Sequence, residues 1–220
     1  MPKHVDACLF DLDGTLLDTL EDLADSMNSV LAARGWPQHP VDAFRVFVGD
    51  GVEMLVRRSV PSEIVSDALV AECVAEVRAV YAERWNVKSA AYDGIPELIA
   101  GLRARGILLG VLSNKPDAAT QEVIAHYFEA GTFDEVAGMR NEIPRKPDPA
   151  GATRISELWG IPPERILYLG DTDTDMKTAV GAGMFAVGAA WGFREAEELQ
   201  AHGADVVCAH PREVLAVIDG

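Results

Sequence analysis

The chain has 220 residues, of which 49% are hydrophobic, so it is long enough for one domain of ordinary size that carries a second, smaller one. Its formal net charge of −16 argues against a nucleic-acid partner, because a phosphate backbone is bound by clustered Lys and Arg. No apolar run approaches the about 20 residues that span a membrane, and residues 1–6 lack the apolar region of a signal peptide, so we expect a cytoplasmic protein with no membrane partner.

The first predicted element is a buried strand from Val5 to Phe10 that runs directly into two carboxylates. The DLDGT motif at residues 11–15 places Asp11 and Asp13 at the strand end, where like charges repel each other unless a cation or a ligand offsets them. A calcium loop of the EF-hand type also begins with Asp-x-Asp, but it requires its glycine at the sixth position and a Glu at the twelfth. Here Gly14 follows at once, so the pattern favours a metal-dependent active site.

The second predicted element is an all-helical insertion over residues 17–88. Leu20, Met27 and Leu31 recur at helical spacing, and Gly35 ends that run. Further helices are predicted at Val41 to Phe47, Val52 to Arg58, Glu63 to Leu69 and Val70 to Trp85. An insertion that leaves the sheet directly after the Asp pair is expected to lie above it as a lid, and the alternative is a bundle that packs for stability alone.

Beyond the insertion, strands and helices alternate. Strands are predicted at Ile107 to Leu112, Glu135 to Gly138, Ile166 to Leu169 and Phe185 to Gly188, with a possible sixth at Asp205 to Cys208. Helices are predicted at Pro96 to Arg105, Asp117 to Phe128, Ala150 to Trp159 and Asp175 to Ala182. This alternation predicts an α/β protein with a doubly wound, Rossmann-like parallel sheet, formed by residues 1–16 and 89–220 and carrying residues 17–88 as a helical domain.

Polar side chains stand at three further positions that we expect at the carboxyl ends of strands or in loops beside them. Ser113 and Asn114 follow the second strand, although Ser-Asn is also an ordinary turn. Lys146 lies in the proline-framed PRKPDP loop of residues 144–149; a loop Lys is usually solvated, but the stiff frame favours a positioned charge. Asp171 and Asp175 belong to the GDTDTD run after another strand, where capping of a helix explains one acid but not three.

If these acids converge, the site carries a large negative charge. Asp11, Asp13, Asp171 and Asp175 would together bring four negative charges against one positive charge from Lys146. A divalent cation is then needed before any anionic substrate can approach. Because the candidate ligands are hard oxygens without a His or Cys cluster, the sequence predicts Mg²⁺.

The order of these motifs resembles that of the haloacid dehalogenase-like hydrolase superfamily. DLDGT is similar to its first motif, Ser113 to the second, Lys146 to the third and GDTDTD to the fourth. The resemblance implies that Asp11 is the nucleophile that forms an aspartyl-phosphate and that Asp13 is the general acid and base.

The same resemblance implies the ligands of phosphate and metal. Ser113 and Lys146, assisted by Asn114, would hold the phosphoryl oxygens. Mg²⁺ would be held directly by the carboxylates of Asp11 and Asp171 and by the backbone carbonyl of Asp13. Asp175 would bind it through a water molecule.

The residue at position 13 and the helical insertion narrow the resemblance to one branch. Dehalogenases attack carbon and lack the second Asp of the motif, so Asp13 indicates phosphoryl chemistry. The insertion matches the helical cap of the branch that contains phosphoglycolate phosphatases and β-phosphoglucomutases.

A segment of the cap looks most like that of the phosphoglycolate phosphatases. Its candidate specificity residues are Arg45, Gly49, Asp50 and Gly51. The two glycines let the backbone approach a ligand, and Arg45 would meet a substrate carboxylate. The alternative is an ordinary helix-turn-helix with a solvated Arg.

The resemblance therefore implies a Mg²⁺-dependent phosphatase whose partner is a small-molecule phosphomonoester, with 2-phosphoglycolate as the leading candidate. The alternatives are another small metabolite such as a sugar phosphate or nucleotide, a phosphotransferase and isomerase of the β-phosphoglucomutase type, and a non-catalytic protein. A monomer and a homodimer are both compatible with the sequence. The three cysteines form no Cys-x-x-Cys pair and are expected to be free thiols.

Overall fold

The computed structural model describes residues 4–219, and the chain divides into two compact units. One unit comprises Met1–Leu17 and Ala91–Gly220, and the other comprises Asp18–Ala90. Part of the segment considered for a signal peptide, residues 1–3, lies outside the described residues. Within residues 4–219, no helix combines the length and the apolar character that crossing a membrane requires.

The first unit is built on a parallel sheet. The strands of the chain are β1 Ala7–Phe10, β2 Leu17–Asp18, β3 Ala90–Ala91, β4 Leu108–Pro116, β5 Glu135–Met139, β6 Ile166–Gly170, β7 Phe185–Ala189 and β8 Val206–Cys208. Six of them form one sheet in the order β5-β4-β1-β6-β7-β8, and the short β2 and β3 pair separately. The neighbours in the large sheet pair in parallel, which confirms the predicted doubly wound fold, including its possible sixth strand.

The strand order places β1 in the middle of this sheet, between β4 and β6. Phe10 at the end of β1 is in register with Val111 of β4 and Leu169 of β6. All four residues of β1 are fully buried, as expected for a strand covered on both faces. The strand order reverses between β1 and β6, which is the position where open sheets of this type bind ligands, at the carboxyl ends of the strands.

The second unit is helical. Its helices are α1 Leu20–Ala33, α2 Phe44–Phe47, α3 Val52–Ser59 and α4 Asp67–Arg84. The apolar residues that predicted α1 form its buried face, and this face includes Leu20, Met27 and Leu31. The buried face of α4 includes Val70, Cys73 and Val77.

Three helix predictions in this unit are wrong in detail. The helices predicted at Glu63 to Leu69 and Val70 to Trp85 are one helix, α4, preceded by a 3₁₀ turn at Ser62–Ile64. The helix begins at residue 67 because Ser66 is extended and its hydroxyl accepts a hydrogen bond from the Leu69 amide. The helix predicted at Val41 to Phe47 is a 3₁₀ turn, Val41–Ala43, followed by the single turn of α2.

The remaining helices flank the large sheet. They are α5 Ile95–Ala104, α6 Asp117–Tyr127, α7 Ala150–Trp159, α8 Asp173–Ala182, α9 Ala196–Ala201 and α10 Pro211–Asp219. Helices α9 and α10 were not predicted from the sequence. Helix α8 follows β6 after only two residues, so its first turn lies at the carboxyl end of the sheet.

Candidate active site

Three buried carboxylates meet at the carboxyl ends of β1 and β6. Asp11 follows β1 directly, Asp171 follows β6, and Asp175 lies in the first turn of α8. One oxygen of each lies within 4.8 Å of the others, and all three residues are buried. These are three of the four acids that the sequence places at strand ends.

The turn between β6 and α8 fixes the position of Asp175. Thr172 caps the helix: its hydroxyl accepts a hydrogen bond from the Asp175 amide, and Asp175 Oδ2 accepts one from the Thr172 amide at 3.1 Å. Tyr168, buried in β6, donates its hydroxyl to Asp175 Oδ1 at 3.3 Å. Asp175 is therefore a capping residue as well as a member of the carboxylate cluster.

Lys146 brings a positive charge into this cluster. Its Nζ lies 2.8 Å from Asp11 Oδ1 and 2.7 Å from Asp175 Oδ1, and its side chain is only 3% exposed. Asn114 holds the Lys146 backbone in place, because its Oδ1 accepts from the Lys146 amide at 2.9 Å and its Nδ2 donates to the Lys146 carbonyl at 3.2 Å. The Asn114 side chain is thus hydrogen-bonded to the loop that carries Lys146. Its contact with a phosphoryl group stays a prediction.

The fourth acid, Asp13, pairs with a different lysine. Both of its carboxylate oxygens lie 2.8 Å from Nζ of Lys115, which stands one residue beyond Asn114 in β4. The sequence-based charge count omitted Lys115, although it lies in the same run as Ser113 and Asn114. With two lysines against four acids, a fully ionised site carries two uncompensated negative charges, which matches the charge of one divalent cation.

Ser113 lies beside this second ion pair. It is buried in β4, and its hydroxyl accepts a hydrogen bond from the Lys115 amide at 3.1 Å. The strand continues to Pro116, so Ser113 and Asn114 lie inside β4 near its carboxyl end and not after the strand, as the predicted end at Leu112 implied.

Asp171 is oriented by groups that the sequence did not single out. Thr15 donates its hydroxyl to Asp171 Oδ1 at 2.9 Å, and the Phe193 amide donates to Oδ2 at 2.8 Å. Gly14 has a φ of +91°, and a Cβ at this position would lie 2.2 Å from Asp171 Oδ2, so only glycine fits. The DLDGT motif contains Thr15, so the sequence could have indicated its role. The contact of the Phe193 amide could not be predicted, because a backbone N–H does not depend on the type of side chain.

The electrostatics of the cluster disfavour three ionised carboxylates without a further cation. Burial raises the pKa of Asp11 to about 7; the charge of Asp175 adds to this rise, and Lys146 opposes it. Burial, together with the charges of Asp175 and Asp11, also raises the pKa of Asp171 well above its usual value. Burial acts to lower the pKa of Lys146, but the negative charges of Asp11 and Asp175 outweigh it, so the pKa of Lys146 is raised.

The donor set fits a hard divalent cation. The three clustered side chains offer carboxylate oxygens and no nitrogen or sulfur. A cation between them would offset the mutual repulsion of the carboxylates, which adds to the effect of burial on the pKa values of Asp11 and Asp171. All three carboxylates already have partners: Lys146 contacts Asp11 and Asp175, and Thr15 and the Phe193 amide donate to Asp171.

The predicted specificity residues lie in the helical unit, and the carboxylate cluster forms without them. Arg45 Nε lies 3.5 Å from Asp42 Oδ1 in an exposed pair. Gly49 and Gly51 have φ values of +115° and +85°, and Gly51 precedes the first residue of α3. Asp50 Oδ2 lies 2.5 Å from a guanidinium nitrogen of Arg58.

Known proteins resemble this chain along almost its whole length. The family model for haloacid dehalogenase-like hydrolases matches residues 8–189. A phosphoglycolate phosphatase of Pseudomonas putida is 30% identical over 211 residues, which cover 94% of this chain and 77% of the relative. An N-acetylmuramic acid 6-phosphate phosphatase of Pseudomonas aeruginosa is 34% identical over 216 residues, which cover 97% of this chain and 94% of the relative.

Solved structures share the fold. The crystal structure of a predicted phosphoglycolate phosphatase from Haemophilus somnus superposes with a TM-score of 0.89 at 27% identity, covering 97% of each chain.

Proposed function

The chain belongs to the haloacid dehalogenase-like hydrolases and is a phosphatase, and from this premise we propose that it hydrolyses a small phosphomonoester through an aspartyl-phosphate on Asp11, with Mg²⁺ as cofactor. One observation carries the proposal: the Asp11 carboxylate stands at the end of β1 with Asp171, Asp175 and Lys146 gathered around it. This arrangement offers a nucleophile, a cation site and a fixed positive charge at the place where a parallel sheet binds ligands.

The proposed metal ligands are Asp11, the Asp13 carbonyl and Asp171, with Asp175 acting through water. Bound there, Mg²⁺ would supply the positive charge that lets a phosphate dianion approach an acidic site. Lys146 and Ser113 would hold the phosphoryl oxygens. Asn114 would assist by fixing the Lys146 backbone, to which it is hydrogen-bonded on both sides.

The reaction would take place in two displacements at phosphorus. In the first, Asp13 begins in its protonated form; an Asp11 oxygen attacks phosphorus, the bond to the leaving oxygen breaks, and Asp13 gives that oxygen its proton and becomes a carboxylate. In the second, Asp13 takes a proton from water as the water oxygen attacks the aspartyl-phosphate, which releases inorganic phosphate and restores the Asp11 carboxylate. A proton donor at position 13 suits an alkoxide leaving group, which supports cleavage at phosphorus rather than at carbon.

We propose a substrate class from the names of the relatives. Their named substrates, phosphoglycolate and N-acetylmuramic acid 6-phosphate, differ in size, but both carry a carboxylate in addition to the phosphate. The proposed substrate is therefore a phosphomonoester whose leaving group bears a carboxylate. 2-Phosphoglycolate is the leading candidate and an acidic sugar phosphate is the second.

The helical unit would select this leaving group as a cap, with Arg45, Gly49, Asp50 and Gly51 as the specificity residues. Arg58 holds the turn between α2 and α3 in place, because it pairs with Asp50 and its Nη1 donates to the Phe47 carbonyl at 3.2 Å. The Arg45 side chain is 43% exposed and its partner Asp42 is 93% exposed. Such a surface pair is worth only about 0–1 kcal/mol, so a substrate carboxylate can replace Asp42 at little cost.

Replacing Arg45 with Ala tests this role of the cap. We expect the ratio of kcat/KM for 2-phosphoglycolate to that for the uncharged 2-hydroxyethyl phosphate to fall about tenfold, the usual effect of losing a charge-assisted hydrogen bond. Arg78→Ala, which removes an exposed Arg of α4, is the matched control and should leave the ratio unchanged. An unchanged ratio in Arg45→Ala as well would show that Arg45 does not recognise the carboxylate.

A substrate screen tests the proposed function itself. Purified protein is incubated with Mg²⁺ and a panel of phosphomonoesters, and the released phosphate ranks them by kcat/KM. We expect carboxylate-bearing esters at the top and complete loss of phosphate release with a chelator. Absence of phosphate release from every ester in the presence of Mg²⁺ would refute the proposal.

The raised carboxylate pKa values predict how metal binding changes with pH. The pKa of Asp11 rises from 3.8 to about 7 in the folded, metal-free protein. Between these values the folded state binds more protons than the unfolded state, so the metal-free protein loses stability as pH rises through that window. Mg²⁺ requires ionised ligands, so its stabilising effect should grow over the same window.

The measurement is the difference in melting temperature between saturating Mg²⁺ and chelator, which cancels the titration of distant groups. We expect a small difference near about pH 5 and a large one near about pH 8. An equal difference at both pH values would mean that the buried carboxylates do not bind the cation.

We also propose that the protein acts in the cytoplasm. Its cysteines, Cys8, Cys73 and Cys208, are all free and buried. Proteins of oxidising compartments commonly carry disulfides, so free thiols support a reducing environment.

A further inference from the structure

Lys115 and Asp13 form an ion pair that the proposed reaction does not yet use. The Lys115 ammonium lies 2.8 Å from both oxygens of the Asp13 carboxylate, and the two side chains are 7% and 21% exposed. Because both oxygens are engaged by one ammonium, the carboxylate is held against rotation as well as against displacement.

The protein also fixes Lys115 itself. Its amide donates to Ser113 Oγ at 3.1 Å, and its carbonyl accepts from the hydroxyl of the fully buried Thr120 at 3.2 Å. At the same place the pairing of β4 with β5 shifts register between Leu112 and Pro116. Such an irregularity in a strand redirects side chains, and it is often found beside active sites.

We propose that Lys115 is a positioning residue that holds the Asp13 carboxylate where it meets the leaving oxygen. This inference rests on the proposed function, in which Asp13 gives a proton to that oxygen. Proton transfer requires the two heavy atoms to approach to about 3 Å, and a displacement of about 1 Å can cost about 100-fold in rate. Lys115 avoids this cost by holding the Asp13 carboxyl group in place through the transfer.

The competing explanation is that Lys115 only neutralises charge in an acidic site. The two explanations differ in how they depend on the leaving group. Loss of charge balance would slow the reaction of every ester to the same extent. Loss of position would slow only those esters whose leaving oxygen must be protonated as the bond breaks.

Lys115→Met distinguishes these explanations. Two esters are compared: the best alkyl phosphomonoester of the screen, whose leaving group is a strongly basic alkoxide, and 4-nitrophenyl phosphate, whose leaving group departs without a proton. We expect kcat/KM for the alkyl ester to fall about 100-fold and kcat/KM for 4-nitrophenyl phosphate to change less than about threefold. The parameter kcat/KM is used because it reports the first displacement and excludes the later hydrolysis.

Two further variants and a control complete the experiment. Lys115→Gln keeps a polar side chain without the charge and should give the same selective loss, so the test does not depend on the folding of one variant. Lys115→Arg restores a cation that can bond both oxygens and should recover part of the alkyl activity. Lys177→Met removes an exposed Lys whose Nζ lies 2.6 Å from Asp173, and it should change neither ester.

The outcomes separate this inference from the proposed function. Equal losses for both esters in a folded Lys115→Met or Lys115→Gln protein would overturn the positioning role while leaving the phosphatase intact. Absence of activity in the unsubstituted protein would refute the proposed function instead.

Discussion

Replacing Asp11 with Asn will lower kcat/KM at least about 10³-fold and will at the same time stabilise the metal-free protein. Activity is lost because an amide cannot attack phosphorus. Stability rises because the substitution removes one of three mutually repelling buried carboxylates. A carboxyl group whose pKa is displaced from 3.8 to about 7 opposes folding at about pH 8 by as much as about 4 kcal/mol, part of which the lost contact with Lys146 will cancel.

The measurement pairs phosphate release with chemical unfolding in chelator at about pH 8. The control is Asp93→Asn, which changes a largely exposed acid of the same unit and should alter neither quantity. A fall in kcat/KM together with a rise in the free energy of unfolding is the informative result, because a misfolded variant would lose both activity and stability. Full turnover in Asp11→Asn would show that Asp11 is not the nucleophile.

Replacing Lys146 with Met is expected to lower both activity and stability. Its ammonium lies 2.8 Å from Asp11 Oδ1 and 2.7 Å from Asp175 Oδ1 and is almost completely buried. Removing it leaves buried charges without their partner, which typically costs about 3–5 kcal/mol of unfolding free energy. It also removes a donor to the phosphoryl oxygens, which should cost about 10²–10³-fold in kcat/KM.

Mg²⁺ should restore part of the stability of Lys146→Met, since a cation in the cluster offsets the same carboxylates, but it should not restore turnover. Unfolding in chelator and in Mg²⁺ measures the first effect, and phosphate release measures the second. Lys177→Met again serves as the control, because its ammonium pairs with Asp173 at the surface. A stable and active Lys146→Met protein would contradict the role given to this lysine.

The sequence predicted the sheet well for a physical reason. Parallel strands are buried on both faces, so each appears as a short apolar run, and β1 is an example with no exposed residue. The same rule that aligns the carboxyl ends of such strands predicted that Asp11 and Asp171 would lie close together. Helices α9 and α10 were missed, and of these α9 has only six residues, too few for a clear hydrophobic period.

The parts of the site that were not predicted depend on side-chain direction or on backbone atoms. The partnership of Lys115 with Asp13 requires the irregular end of β4, which residue types do not encode. The Phe193 amide acts on Asp171 through a backbone N–H that any residue could supply. The single helix α4 was divided in two because its start is set by Ser66, whose role depends on the local backbone conformation.

In the proposed reaction, phosphate is transferred to Asp11 and then to water with the help of Asp13. This transfer is tested most directly by mixing Asp13→Ala with 4-nitrophenyl phosphate and Mg²⁺, quenching in acid and locating phosphate by peptide mass spectrometry. The leaving group needs no proton, whereas the second displacement lacks its base, so we expect the peptide that contains Asp11 to carry one phosphoryl group. Repeated release of 4-nitrophenolate without a phosphorylated peptide, or phosphate on a different residue, would contradict a phosphorylated intermediate on Asp11.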